Sequence, residues 1–188
     1  MRQMRKWALD DSDQGPIYLG YRVGHIKNDG RAFRAVVYDK GAVVLHMLRR
    51  LVGDEAFFRG LRRFYVASRF TKAGTEDFRR AMEAESGKSL DRFFERWVYS
   101  SGLPRIAFSY RVQPAAGGGQ ELVLHFEQTG EIFDLPVALT LQFTDRKPVD
   151  VVVPVTDKVV DSRLPLDGTL RSVDLNRDEG TLAEIVRN

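Results

Sequence analysis

Residues 36–50 read VVYDKGAVVLHMLRR. A phenol, an acid, a lysine and a glycine stand directly before a run that is almost wholly apolar. From Lys40 onward the period is helical, and Ala42, Val43, Val44, Leu45, Met47, Leu48, Leu51 and Val52 leave hardly any polar face. A helix that is apolar nearly all round is a central, buried one. Gly53 ends it. This reading places Tyr38 at the mouth of a buried helix and raises the question of what a phenol does there.

Downstream the helical period continues. Asp54 reads as the N-cap of a second helix, with Phe57, Phe58, Leu61, Phe64 and Tyr65 at i, i+3, i+4 spacing. Thr75 reads as the cap of a third helix that carries Phe78, Ala81 and Met82 and ends at Gly87. Ser89 reads as the cap of a fourth, with Leu90, Phe93, Phe94 and Trp97. The short loops between them predict roughly antiparallel neighbours. Upstream, residues 1–35 are rich in breakers and read mainly as loop and extended chain. A frayed helix is expected near Trp7, and a tight turn at Asn28-Asp29-Gly30.

Beyond Ser100-Ser101-Gly102-Leu103-Pro104 the period changes to two. Ile106, Phe108 and Tyr110 alternate with polar residues, as do Leu122, Leu124 and Phe126, and Val137, Leu139, Leu141 and Phe143. Val151–Val153 and Leu164–Leu166 suggest further short strands, and Gly117-Gly118-Gly119 a hairpin loop. Strands at this spacing without intervening helices predict an antiparallel, Ig-like β-sandwich. The fold class is therefore α+β in two parts. The expected division is 1–103, helical, and 104–188, sandwich, each around its own core.

Composition bounds the function. The 43% hydrophobic and 29% charged content is that of an ordinary globular chain. No apolar run approaches the ~18 residues of a membrane span. There is no cysteine, so thiolate and disulfide chemistry are excluded. The net charge of +3 divides into +7 over residues 1–104 and −4 over the rest. The arginines are spread along helix faces, which favours a solvated surface over a nucleic-acid patch.

Motif chemistry is sparse. The residues four places after His25, His46 and His125 are Asp29, Arg50 and Thr129, so the H-E-x-x-H zinc motif is absent. No phosphate loop and no G-x-S-x-G elbow occurs. Tyr38 remains, with two readings. It could be an aromatic staple across a helix start. Alternatively, a phenol at a positive helix end could donate to an oxyanion formed beside it.

The stretch AVVYDKGAVVLHMLRRLVGDEAFFRGLRRFY, residues 35–65, resembles the segment that follows the zinc site in gluzincin aminopeptidases, peptidase family M1. The resemblance rests on Tyr38-Asp39-Lys40-Gly41-Ala42, Gly53-Asp54-Glu55-Ala56-Phe57, Thr75-Glu76-Asp77-Phe78, Phe94-Glu95-Arg96-Trp97 and Ser101-Gly102-Leu103-Pro104, in that order. It implies the helical lobe of a thermolysin-like catalytic domain followed by a β-sandwich. It also implies that Tyr38 stabilises the tetrahedral intermediate opposite a zinc ion during removal of N-terminal residues from peptide substrates. The family's zinc ligands and amine-binding segment would lie N-terminal to Tyr38 and have no counterpart here. The chain is therefore expected to be the C-terminal part of a longer zinc aminopeptidase, inactive alone, whose partners are the missing N-terminal and zinc-binding domains. A non-catalytic interaction module, a helical bundle with an Ig-like sandwich, is the alternative. Nothing in the residues indicates a compartment.

Overall fold

The computed structural model describes residues 1–18 and 30–187, without the side chain of Asp13. The expected turn at Asn28-Asp29 and His25 lie outside the described residues. Among the described residues, six α-helices precede residue 98: α1 (Arg2–Asp10), α2 (Gly30–Phe33), α3 (Gly41–Val52), α4 (Asp54–Ala67), α5 (Thr75–Ser86) and α6 (Asp91–Trp97). A π-helical segment, Arg34–Lys40, joins α2 to α3 without a break. The seven described strands follow residue 104: β1 (Arg105–Pro114), β2 (Gln120–Thr129), β3 (Leu135–Phe143), β4 (Val149–Val155), β5 (Val159–Leu166), β6 (Leu170–Leu175) and β7 (Glu184–Arg187). The α+β class read from the sequence is the one observed.

Several local expectations change. The helix expected near Trp7 is present, regular over nine residues. The helix of the opening stretch starts at Gly30, not Lys40. Gly53, not Asp54, occupies the cap position of α4, and Asp54 instead receives two hydrogen bonds from Arg49, at 2.8 and 2.5 Å. Gly74 caps α5, its N–H donating to the Asp77 carboxylate at 2.9 Å. Leu90 takes the cap position of α6, while the Ser89 hydroxyl donates to Asp91.

The strands form two sheets, ordered β5-β2-β1-β7 and β4-β3-β6. Every pairing is antiparallel except β1 with β7, which is parallel, Arg105 opposite Glu184. The parallel pair arises because the chain crosses the molecule through residues 176–183 before it returns beside the start of β1. The alternating residues Leu122, Leu124 and Phe126, and Val137, Leu139 and Leu141, are buried as expected. At the hairpin, Gly118 and Gly119 adopt φ of 89° and 82°, which favours glycine there.

The expectation of two separate cores is not met, because buried side chains of helices and sheets form one continuous cluster. Trp97 is the hinge of that continuity. Its ring centroid lies 4.9 Å from that of Phe133, and its indole N–H donates to the Asp134 carbonyl at 3.2 Å. Arg92 pairs with the Asp134 carboxylate at 2.5 Å. On the other side, Arg5 of α1 donates to the carbonyls of Thr181 and Ala183. The Leu182 N–H approaches the sulfur of Met47 on α3. Gly180 meets α3 so closely that a Cβ there would lie 2.8 Å from His46 Nε2 and from an Arg50 nitrogen.

Candidate functional site

The buried stripe of the opening helix runs through Ala32, Val36, Lys40, Val44 and Leu48, spaced by four. Tyr38 is on the other side of the same run and is 64% exposed. It therefore does not stand at a helix mouth. It lies in the π segment, about two turns inside a continuous helical run from Gly30 to Val52. The dipole argument for Tyr38 fails on this geometry, since the positive effect of a helix end is confined to its first turn. π turns inside α-helices are frequent at functional sites, so the backbone at Tyr38 keeps its interest on other grounds.

Two contacts define the phenol. Its ring meets Phe33 edge-on, with centroids 5.9 Å apart, a contact of the kind a staple would make. The same side chain lines an open groove of about 710 Å³. The other walls come from α3, α4, α5 and α6, including Leu45, Leu48, Phe64, Phe78 and Phe94. A groove of this size, apolar with a polar phenol at its wall, is the form of a ligand or partner site.

The residues beside Tyr38 were missed as structural features in the sequence. Lys40 is fully buried, and its Nζ has no hydrogen-bond partner. Burial draws its ammonium below the ordinary lysine range, to about 8. Asp39 is 5% exposed, and its Oδ2 is likewise unpartnered. The signal for Lys40 was available: the apolar stripe extended back from Val44 to Val36 passes through it.

The histidines do not converge. His46 sits on α3 beside Arg50 and Asp178, and burial, followed by the Arg50 charge, lowers its pKa. His125 lies on β2 and contacts Asp161 on β5 at 2.7 Å. Among the described residues no three His, Asp or Glu side chains gather as a metal site would require. The described donors therefore do not fit a zinc ion.

The helical half is also where the similarity to known proteins is concentrated. The peptidase family M1 domain matches residues 2–97. The chain belongs to peptidase family M1. Aminopeptidase N of Lactococcus lactis subsp. lactis is 36% identical over 98 residues, which cover 52% of this chain and 12% of that protein. Aminopeptidase N of Haemophilus influenzae is 40% identical over 98 residues, covering 52% and 11%. The chain thus spans about a tenth of the length of these M1 relatives. A crystal structure of Legionella pneumophila aminopeptidase A in complex with aspartic acid superposes with a TM-score of 0.68. It covers 82% of this chain and 18% of the other, at 18% identity, so that likeness speaks for the fold. The M1 match ends at Trp97, and the structural likeness extends well into the sheets. No described helix is long and apolar enough to cross a membrane.

Proposed function

We propose that this chain supplies the helical end of a metallopeptidase catalytic domain, residues 1–103, and the sandwich that follows it, residues 104–188. The enzyme they serve removes residues from the N-termini of peptides. Tyr38 carries the reading: an exposed phenol on a π segment, at the wall of an apolar groove, in the position of the M1 Tyr-x-Lys-Gly pattern. In this mechanism the scissile carbonyl becomes a tetrahedral oxyanion, and the Tyr38 O–H donates a hydrogen bond to it. The bond is short only once negative charge has developed, so it lowers the barrier more than it strengthens substrate binding. Zinc, where bound, supplies Lewis-acid chemistry from residues outside those described. By themselves the 188 residues are expected to be inactive.

The test is Tyr38→Phe in the assembled, zinc-loaded enzyme. The substitution removes one O–H and keeps the ring against Phe33, so the fold should persist. On an aminoacyl anilide, kcat is expected to fall by ~10²–10³ with little change in KM. Zinc content, measured in the same preparation, should not change. A folded, zinc-loaded variant with near-normal kcat would return Tyr38 to the staple role that its Phe33 contact permits.

A further inference from the structure

A second cavity, of about 540 Å³, opens beside α1 and is lined by Trp7, Gly30, Arg31, Arg34 and Asp39. We propose that it binds a free α-amino acid, with the ammonium on Asp39 and the carboxylate on Arg34. The inference does not depend on the role of Tyr38, which lines the other groove.

Two charged groups of opposite sign face this space without satisfying each other. Asp39 is almost wholly buried, yet its Oδ2 accepts no hydrogen bond. A buried carboxylate oxygen without a donor is costly, and a cationic N–H donor is its strongest complement. Arg34 lies over the Trp7 ring, its guanidinium carbon 5.7 Å from the centroid. Its contact is with that ring, and the guanidinium makes no ion pair with a described acid. The guanidinium fork suits a carboxylate in particular.

The pairing of poles selects the ligand. A simple amine would satisfy Asp39 but face the positive charge of Arg34. A simple carboxylate would satisfy Arg34 but face Asp39. A zwitterion meets both, and on an α-amino acid the two groups hang from one carbon. Trp7 offers an apolar wall to the amino-acid side chain. Gly30 leaves the rim open, since a Cβ built there would meet nothing within 4 Å. Arg31 makes its ion pair with Asp11, 3.9 Å away, and none with Asp39.

The experiment follows the indole N–H signals of the isotopically labelled chain by NMR. Only two tryptophans are present, Trp7 in the cavity wall and Trp97 in the core. Three matched probes separate the poles: L-alanine, L-alaninamide without the carboxylate, and N-acetyl-L-alanine without the ammonium. L-Alanine should shift the Trp7 signal saturably, with Kd on the order of 1–10 mM, and leave Trp97 unmoved. The two half-probes should bind at least ~10-fold more weakly. Asp39→Asn and Arg34→Gln should each weaken L-alanine binding by a similar factor. Arg34 is exposed, so its variant tests the site even if Asp39→Asn fails to fold. Absence of saturation up to ~100 mM, equal binding of either half-probe, or an unaffected Arg34→Gln variant would overturn the proposal.

Discussion

At the scale of single residues, Lys40 is the most demanding position in the chain. Its ammonium is buried without a partner, and its pKa falls to about 8 by desolvation. Unfolded, the same group titrates near ~10.4. Between those values the unfolded chain holds the proton that the folded chain has lost, so stability rises with pH across that interval. Below about 8 the full burden remains, on the order of 3 kcal/mol. Lys40→Met keeps the length and removes the charge. Denaturant titration at pH 7 should show the variant to be more stable than the parent by up to that amount. The difference should shrink as pH rises from about 8 to about 10. A Lys40→Met chain less stable than the parent at pH 7 would mean that the amine is satisfied in the fold. The lysine's identity was plain in the sequence, but its burial was not. The helical period was read from Lys40 onward, which put that residue in the first turn. The π segment carries the helix further back and turns that residue inward.

At the scale of elements, alternation and helical spacing located α3 to α6 and the central strands, because each buries one face or stripe of its own sequence. What was less legible were the elements whose order depends on neighbours. α1 is held by Arg5 on the C-terminal segment. β6 and β7 are short, polar edge strands, a form that edges often take. The helix caps shifted for a related reason: Asp54 had a better partner in Arg49 than the backbone of its own first turn. The α4–α5 pairing has a tighter requirement. Gly60 faces Met82, and a Cβ at residue 60 would lie 2.6 Å from its sulfur and 3.3 Å from its Cα. Alanine at an exposed helix site would gain up to ~1 kcal/mol over glycine. Here the flexible Met82 tip can move, but it is fully buried and its backbone cannot. Gly60→Ala is expected to destabilise by ~1–3 kcal/mol, read from the shift in denaturant midpoint. A gain in stability would show that α4 and α5 separate freely.

At the scale of the whole molecule, the change of period near Gly102 predicted two folding units, and the structure supplies one core. Periodicity reports which face of an element is buried, not what covers it. Trp97 was assigned to the helical side, yet its ring is covered by Phe133 and its N–H by the Asp134 carbonyl, both across the seam. The arginine excess of the helical half is likewise met in part across the seam: Arg2 pairs with Glu179, Arg50 with Asp178, Arg92 with Asp134 and Arg96 with Glu131. A continuous core implies one cooperative transition. Thermal unfolding followed by helical circular dichroism should therefore coincide with unfolding followed by hydrogen exchange of β2 and β3 amides. Trp97→Ala tests the seam directly. Loss of the ring and its hydrogen bond should cost ~3–5 kcal/mol. Because the cavity opens between the layers, the two probes should also separate in the variant, the helices melting before the sheets. The sheets keep their own buried pairings between β1, β2 and β5, whereas α3 and α6 lose the surface they lean on. If the two probes were already separate in the parent chain, the halves would be independent despite their contact. If Trp97→Ala lowered both transitions equally, the seam would be carried chiefly by Arg5, Met47 and Gly180 on the opposite side.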